Sequence, residues 1–553
     1  MIGKKIILYF LSAFTIAVAG TPDISLNTTT VRKGRFSEHF FSTSSQCMAC
    51  HNRLTTHYGK DFSIGTNWRA AMMSNSATDP YWQAGVRRET LEHPESAEVI
   101  EDVCSSCHMP MARFIMNYGG IKGEVFSYLS EGNTKHVPPL AALAGDGISC
   151  SVCHQIKADN LGKKESYGAG FLVDTMQPEG KRSVFGPFTI SEGNSHIMNS
   201  ATGFSPQKAA HIRESALCGS CHTLYTHALD SNGNIVAELP EQMPYIEWMH
   251  SDYAEVKNCQ DCHMEEIAGE ASISAVLGVS RSNPKVHSFI GGNFFMLHML
   301  SKNTLTLGLQ ALPAELNAAA QVSRALLADS TAEITIDTSS ISIANDTIQL
   351  PVIIENLAGH KLPTAYPSRR AWIHLTATRG LRDVVFESGK LNPDGSIAGN
   401  DNDEDSLRFE PHYEVISDVS QVQIYESIMA APDGRVTTGL LNGASYLKDN
   451  RIPPLGFLKA TVSSDVAVKG KATTDSDLND GHDSIVYRIP KGSIEGSIKI
   501  TVEFWYQPIG YRWANNLSSF KAMEPERFIS MYRNMDKRES AVMVSSCEYD
   551  LTL

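Results

Sequence analysis

The sequence predicts a multidomain fold in which a mostly helical and irregular N-terminal domain precedes an all-β, sandwich-like C-terminal domain. In the first half, short helical stretches such as 79–101 and 206–217 are broken by loops rich in Gly, Pro, Asn and Ser. Leucines then recur at helical spacing over 304–329, although Pro313 should kink or split that helix. Beyond it, short β-branched and aromatic runs are separated by turn residues.

These runs are typical of the antiparallel strands of a β-sandwich. The predicted strands are 334–343, 347–356, 371–379, 421–429, 457–462, 484–489 and 497–507. The last stretch, 515–535, is polar and partly helical. A chain of 553 residues exceeds what one hydrophobic core usually serves, so more than one domain is expected.

The overall composition excludes several classes of protein. The formal charge of -14 comes from an excess of Asp and Glu without a basic block, so nucleic acid is not an expected partner. A hydrophobic content of 42% and a charged content of 20% are ordinary for a globular protein. They argue against a disordered chain and against a polytopic membrane protein.

The N-terminus predicts export. Lys4 and Lys5 precede an apolar run over 6–18, and Ala17 and Ala19 supply the small residues that a signal peptidase prefers. We predict a signal peptide over 1–19. The alternative, a retained membrane anchor, would require about 20 apolar residues, more than this run supplies. We therefore expect a protein of the bacterial periplasm or cell exterior, with no membrane span after cleavage.

The cysteines carry the strongest signal, because ten of the eleven fall into five Cys-x-x-Cys-His motifs. The motif cysteines are Cys47, Cys50, Cys104, Cys107, Cys150, Cys153, Cys218, Cys221, Cys259 and Cys262, and the motif histidines are His51, His108, His154, His222 and His263. Two thiols at this spacing lie on one side of a helical turn and can add to the two vinyl groups of a haem. The following histidine then lies beneath the iron as its proximal ligand.

Other uses of paired cysteines do not require this histidine. A disulfide framework needs no histidine after every second cysteine, and a zinc ribbon needs two pairs without this suffix. A thioredoxin-like redox pair would occur once, after a strand. The motifs therefore predict five covalently bound c-type haems, and predicted export agrees, because haem c is attached outside the cytoplasm.

The density of the motifs predicts how the N-terminal domain is built. All five motifs lie between Cys47 and His263, too close together for ordinary secondary-structure packing to supply the core. We expect the haems themselves to form the core of a haem-packed domain over 20–300. A bridging helix over 301–329 and the β-rich domain over 330–553 complete the predicted organisation.

Segments around the motifs carry further information. They are 68–73 (WRAAMM), 100–103 (IEDV), 145–149 (GDGIS), 244–248 (PYIEW), 287–293 (HSFIGGN) and 359–364 (GHKLPT). With the motifs, they resemble the multihaem cytochrome c family of bacterial respiratory chains, over most of the mature chain. The resemblance implies electron transfer, usually through six-coordinate haems stacked in close pairs.

The second axial ligand of each iron decides between electron transfer and catalysis, because a ligand on both faces keeps small substrates away. The candidate distal ligands are His287, His298, His211, His136, His196, His360 and Met73. His287 and His298 lie in or beside the apolar, Gly-rich segment 289–300, and His211 precedes the fourth motif on a predicted helix. His136 and His196 lie in loop-rich stretches that lead into a motif. His360 lies in a stiff turn between Gly359 and Pro363, from which it could reach a haem.

One segment departs from the family pattern. Relatives commonly carry a histidine after the tryptophan that corresponds to Trp68, where this chain has Met72 and Met73. A thioether ligand would raise the reduction potential relative to a second imidazole. The alternative is that these methionines pack in the core.

Two acidic loops could hold calcium through oxygen ligands. They contain Asp401, Asp403, Glu404 and Asp405 in one case and Asp475, Asp477, Asp480 and Asp483 in the other. Neither follows a recognised calcium-loop pattern, so solvated turns are favoured. Cys547, outside the motifs, is either a buried thiol or an intermolecular link.

The sequence therefore favours an exported electron carrier over an enzyme, active in anaerobic respiration or extracellular electron transfer. Its expected partners are redox proteins that act as donors and acceptors, with an outer-membrane complex as one option. The alternative is a multihaem reductase of a small nitrogen or sulfur oxyanion at one five-coordinate haem. The surplus of histidines and the lack of a lysine in the proximal position of any motif argue against that alternative.

Overall fold

The structure, a computed structural model, describes residues 40–129, 138–380, 382–492 and 495–553. The predicted signal peptide, 1–19, lies outside the described residues. None of the helices in the described ranges is long and apolar enough to cross a membrane.

The part of the chain before residue 332 is built mainly from short helices. They are α1 Ser44–Met48, α2 Ile64–Arg69, α3 Pro80–Glu92, α4 Ala97–His108, α5 Pro110–Tyr118, α6 Phe126–Leu129, α7 Pro138–Gly145, α8 Cys150–Cys153, α9 Glu192–Thr202, α10 Ser215–Gly219, α11 Pro244–Met249, α12 Cys259–His263, α13 Phe294–Lys302, α14 Thr304–Leu307 and α15 Pro313–Ser330. At the start of α3, the Asp79 carboxylate accepts hydrogen bonds from the backbone N–H groups of Tyr81 and Trp82. The helix predicted over 304–329 is split as expected, because Pro313 begins α15.

Three two-stranded sheets lie among these helices. They are β1 Arg182–Gly186 with β2 Phe204–Lys208, β3 Leu224–Leu229 with β4 Ile235–Gln242, and β5 Glu270–Ser272 with β6 Ser280–Ser282. The first pair is parallel and the other two are antiparallel. The N-terminal part thus contains hairpins as well as the predicted helices and loops.

Beyond residue 331 the chain forms two larger sheets. The strands are β7 Ala332–Ile336, β8 Ser342–Ala344, β9 Thr347–Asn356, β10 Arg370–Arg379, β11 Asp383–Ser388, β12 Val415–Ile416, β13 Ile424–Ala430, β14 Val436–Thr437, β15 Ser445–Asp449, β16 His482–Pro490, β17 Ser497–Gln507 and β18 Val542–Thr552, with the helices α16 Asp401–Glu404, α17 Tyr511–Asn516 and α18 Met523–Arg533. The seven-stranded sheet has the order β14-β13-β10-β17-β18, with β11 paired to β10 and β15 to β13. The five-stranded sheet has the order β12-β16-β9-β7, with β8 paired to β9. Burial alternates along β9, β16 and β17, as expected of strands that turn one face to a core.

One hydrophobic core takes side chains from both parts of the chain. Phe295 and Met299 of α13 lie in the same buried cluster as Ile354 of β9 and Val502 of β17. The described residues accordingly belong to one compact unit. The fold thus combines helices with several sheets, whereas the division at residues 300 and 329 into separate domains remains a prediction.

Several stretches of the C-terminal part differ from the sequence-based prediction, which assigns no strand at β11, β12, β14, β15 or β18. The strand predicted over 457–462 is absent, because this stretch forms turns. Phe457 at its start is buried without pairing to a strand. Residues 542–552 form β18, in which Val542, Val544 and Leu551 are buried. It pairs with β17 along its whole length, and this pairing supplies its backbone hydrogen bonds.

Candidate haem-binding sites

Each Cys-x-x-Cys-His motif lies on or beside a short helix. The second motif ends α4, the third begins with α8, and the fifth forms α12. In α12 the backbone N–H of Asn258 donates to the Asp261 carboxylate at 2.9 Å, and Lys285 Nζ donates to the same carboxylate at 2.9 Å. A helical turn places the two cysteines of a motif on one side, as attachment to one haem requires.

Backbone carbonyl groups fix the ring orientation of four motif histidines. The Nδ1 atoms donate as follows: His51 to Ile273 at 2.7 Å, His108 to Ser76 at 3.0 Å, His154 to Phe185 at 2.5 Å and His263 to Ile290 at 2.5 Å. A metal-bound histidine typically donates its other ring N–H in this way. The arrangement leaves Nε2 of each ring available to an iron.

Two motif histidines face a second histidine from a distant part of the chain. The ring centroids of His154 and His287 lie 6.3 Å apart with an angle of 20° between the ring planes. Those of His263 and His360 lie 6.2 Å apart with an angle of 14°. In both partners Nδ1 also donates to a backbone carbonyl, from His287 to that of Lys285 at 3.2 Å and from His360 to that of Lys361 at 3.0 Å.

These separations fit one iron between two imidazoles. A ligating nitrogen lies about 2.0 Å from its metal and the ring centre about 1.1 Å behind that nitrogen, so two imidazoles on opposite sides of one ion have centroids about 6 Å apart. Both pairs have this spacing, and each contains one histidine of a Cys-x-x-Cys-His motif. The residues present therefore fit a haem at the third and the fifth motif.

The protonation state of these rings also suits a metal. Burial within the protein lowers the pKa of His287 to about 3, and the nearby ring of His154 contributes to the same shift. Burial likewise lowers the pKa of His154 and of His360 below the ordinary value. The three rings are therefore neutral at pH 7, which is the state in which imidazole binds metal.

The other motif histidines have different neighbours. The ring of His108 lies against the indole of Trp82, with centroids 4.3 Å apart and nearly parallel planes, and burial lowers its pKa to about 4. Within the described ranges, His51 and His222 form no ring pair of the kind seen at the third and fifth motifs. Their second axial positions are therefore not accounted for by a described histidine ring.

Two of the predicted distal ligands are engaged by protein groups. Nε2 of the buried His211 is hydrogen-bonded to the carbonyl of Ile156 at 2.8 Å, so only its Nδ1 is left for a metal. His298 lies on α13 with Nδ1 3.3 Å from the carboxylate of Glu539. Neither ring pairs with a motif histidine in the described part of the chain.

The last three predicted ligands are placed as follows. His196 is exposed on α9, 3.7 Å from the carboxylate of Glu192. Met73 is half-buried, and its carbonyl accepts a hydrogen bond from Ile148 N–H at 3.0 Å. The neighbouring Met72 packs against the main core. His136 lies outside the described residues.

His93 is not among the predicted ligands, although its position is notable. It follows α3 and is buried, and its Nε2 has no hydrogen-bond partner in the described ranges. The nearby carboxylates are already used, since Glu89 accepts from Leu440 N–H at 2.8 Å and Glu92 from the Asn442 amide at 2.9 Å. His93 therefore has a buried ring nitrogen without a hydrogen-bond partner in the described ranges. The position of His93 at the end of a helix does not indicate this in the sequence.

Thiols of different motifs lie near one another. The neighbouring thiols are Cys47 and Cys150, Cys107 and Cys221, and Cys218 and Cys259. Cys153 also lies near Cys218 and Cys221. The third motif is thus next to the first and the fourth, and the fourth is next to the second and the fifth.

Carboxylates of the two acidic loops form ion pairs and hydrogen bonds with other groups of the protein. In the first loop, Asp401 pairs with Arg408 at 2.5 Å and the buried Asp403 with Arg370 at 2.8 Å. In the second loop, the Asp480 carboxylate accepts from the backbone N–H of Gly456 at 2.7 Å. These contacts favour hydrogen-bonded turns over calcium ligation.

Asp475, in the second loop, belongs to a buried group with His412 and Asp483, whose potential ligand atoms lie within 4.8 Å of one another. Nδ1 of His412 accepts from the amides of Gln423 at 2.9 Å and Asn450 at 3.1 Å. The proton of the neutral ring is therefore on Nε2, where it donates to Asp475 at 2.6 Å. Neither ring nitrogen keeps a free lone pair for a cation.

Cys547 lies on β18 and packs against the main core. Burial raises the pKa of its thiol to about 11. The thiol is therefore protonated at neutral pH and has the surroundings of a packing residue rather than of a reactive group.

Comparison with known proteins bears on the fold. The structure resembles the crystal structure of a penta-heme cytochrome c552 from Thermochromatium tepidum, with a TM-score of 0.51 and 15% sequence identity; the match covers 93% of this chain and 99% of that chain. At this identity the likeness shows a shared fold. No family model matches the sequence, and no curated protein matches it either.

Proposed function

We propose that this chain is an exported c-type cytochrome that binds five haems covalently and transfers electrons along them. The observation that carries the proposal is the pairing of His154 with His287 and of His263 with His360 at a spacing that suits one iron each. The shared fold with a protein described as a penta-heme cytochrome agrees with the five motifs. A haem bound at a motif would supply a one-electron couple at its iron.

The paired histidines favour electron transfer at these two positions. Two imidazoles close both faces of an iron, so a small substrate has no open position there. The backbone carbonyl groups that accept from Nδ1 hold each ring in one orientation, so little rearrangement accompanies a change of charge at the metal. The chain's own contribution is thus to supply, orient and keep neutral the ligating rings.

The proximity of thiols from different motifs supports an order for the electron path. Haems attached at Cys47 and Cys150 would lie side by side, as would those attached at Cys218 and Cys259. We infer a path from the first motif through the third to the fourth, with the second and the fifth both next to the fourth. Redox proteins would act as donor and acceptor at its ends, in the periplasm or outside the cell.

A reductase remains the second candidate. The observation in its favour is that His51, His108 and His222 lack a described histidine partner of the kind that His154 and His263 have. An iron with one open face can bind a small nitrogen or sulfur oxyanion. The first, second and fourth motifs are the positions at which such a reaction would take place.

Two measurements on the mature protein test the proposal. A pyridine haemochrome assay should count five haems that survive denaturation, since thioethers hold them covalently. An electron paramagnetic resonance spectrum of the oxidised protein should show at least two low-spin haems, one for each histidine pair.

A count well below five, in material matured with a competent haem-attachment system, contradicts the proposed stoichiometry. High-spin signals together with turnover of a small oxyanion by the reduced protein would favour the reductase. A spectrum with only low-spin signals would exclude it.

A further inference from the structure

Four buried charged side chains lie in or beside the segment that carries His360, namely Glu247, Lys361, Asp449 and Arg451. Lys361 is fully buried, and its Nζ donates to Asp449 at 2.9 Å. The backbone N–H of Lys361 donates to the carboxylate of Glu247 at 3.1 Å. Arg451 pairs with the same two carboxylates, at 3.0 Å from Glu247 and 2.8 Å from Asp449.

The charges of this group balance, with two cations and two anions. Burial alone would raise the pKa of Asp449, but the charges of Arg451 and Lys361 outweigh it and hold the pKa below the ordinary value. An ion that loses its partner in such a place is strongly destabilising, because the remaining charge stays buried and unpaired. The group therefore resists any displacement that would separate its members.

The group joins two distant elements. Glu247 lies on α11, shortly before the fifth motif, whereas Asp449 ends β15 of the seven-stranded sheet. Lys361 lies between them and follows His360 directly. The network therefore links α11, which precedes the motif of His263, to the segment that carries His360.

The backbone around His360 is also fixed. The Asn356 amide donates to the carbonyl of His360 at 2.9 Å and to that of Ile452 at 3.0 Å. The backbone groups of Leu362 and Ile452 exchange hydrogen bonds of 2.9 and 2.8 Å. A segment held in this way loses little further conformational entropy when its imidazole binds a metal.

We propose that Glu247, Lys361, Asp449 and Arg451 are positioning residues that hold the imidazole of His360 opposite that of His263. The inference rests on the proposed role of His360 as an axial ligand. None of the four touches the iron in this proposal; they set the distance and angle at which His360 can reach it. The proposal predicts that a change at Glu247 alters one haem that Glu247 does not ligate.

The test compares variants of the full, haem-loaded protein. Glu247→Gln removes one of the two carboxylate partners of Arg451. The double variant Glu247→Gln with Lys361→Met leaves Arg451 and Asp449 as a balanced pair, so that loss of folding is not the cause of the result. His360→Ala is the reference for complete loss of the ligand. Asp403→Asn is the matched control, because it breaks the buried ion pair of Asp403 with Arg370. This pair lies in the C-terminal part of the chain, which also contains Lys361, Asp449 and Arg451.

The readouts are the low-spin and high-spin signals, carbon monoxide bound per chain and the reductive titration curve. We expect both Glu247 variants to bind up to one additional carbon monoxide per chain and to shift one of the five haem potentials toward that of His360→Ala. Asp403→Asn should match the parent protein. The proposal is overturned if both Glu247 variants match the parent while His360→Ala converts one haem to high spin. If His360→Ala also matches the parent, the ligand role of His360 itself is wrong, and the positioning role falls with it.

Discussion

The replacement of Asp483 by Asn should change how stability depends on pH. Asp483 is fully buried on β16, and its Oδ2 accepts from the Tyr425 hydroxyl at 2.7 Å. Its Oδ1 has no hydrogen-bond partner in the described ranges. Burial raises the pKa of this carboxyl from 3.8 to about 7.

The sign follows from the raised pKa. The folded protein favours the protonated carboxyl, so its stabilising contribution is complete below the ordinary pKa and is lost as the pH rises through about 7. The full rise in pKa corresponds to about 4 kcal/mol, of which roughly 2–3 kcal/mol is lost between pH 5 and pH 8. In the Asp483→Asn variant, the side-chain amide would keep the bond from Tyr425 and would not titrate.

Calorimetric unfolding of the haem-loaded protein measures the effect. The midpoint of Asp483→Asn relative to the parent should rise by about 2 °C between pH 5 and pH 8. Asp433→Asn is the control, because Asp433 is exposed and its hydrogen bonds from Arg435 lower its pKa, so it stays ionised over this range. A difference between Asp483→Asn and the parent that does not vary with pH, or that grows toward acid, would refute the reasoning.

The remaining predictions concern three other positions. His287→Ala should convert one low-spin haem to high spin and let it bind carbon monoxide, as measured by paramagnetic resonance and optical titration; an unchanged spectrum would leave His287 a packing residue. A chain that ends after Asp329 lacks the strands that pack on Phe294 and Leu300, so it should be insoluble or rapidly proteolysed. A soluble product with five haems would instead show that the N-terminal part folds alone. Cys547→Ser should lower the unfolding free energy by about 1 kcal/mol and leave the oligomeric state unchanged in light scattering, whereas loss of a dimer would identify an intermolecular link.

The two histidine pairs show which part of the candidate site a local pattern indicates, while the ligand roles themselves stay predictions. The five motifs are local, and the positions of their cysteines and histidines follow from the geometry of one helical turn. An apolar segment and a stiff turn single out His287 and His360 as candidates, and in the structure they are the rings that face motif histidines. Their assignment to the third and fifth motifs came only from the structure.

The physical reason is that some features depend on residues adjacent in sequence, whereas others depend on residues that are far apart in the chain. Attachment motifs, the split before Pro313 and strands such as β9 and β17 depend on residues adjacent in sequence, so they could be read from the chain. By contrast, the neighbours of His211 and His298 come from distant segments. Their contacts with Ile156 and Glu539 depend on packing that no local pattern encodes.

The sequence by itself determined the type of cofactor chemistry predicted, the number of attachment motifs and most of the long strands of the C-terminal part. Only the tertiary structure decided which imidazoles face each other, which motif thiols lie near one another and how the two parts share one core. It also brought Glu247 next to Lys361 and Arg451, although these residues are far apart in the chain. Buried charges find their partners through the folded arrangement, because only there does the loss of water make an unpaired charge costly.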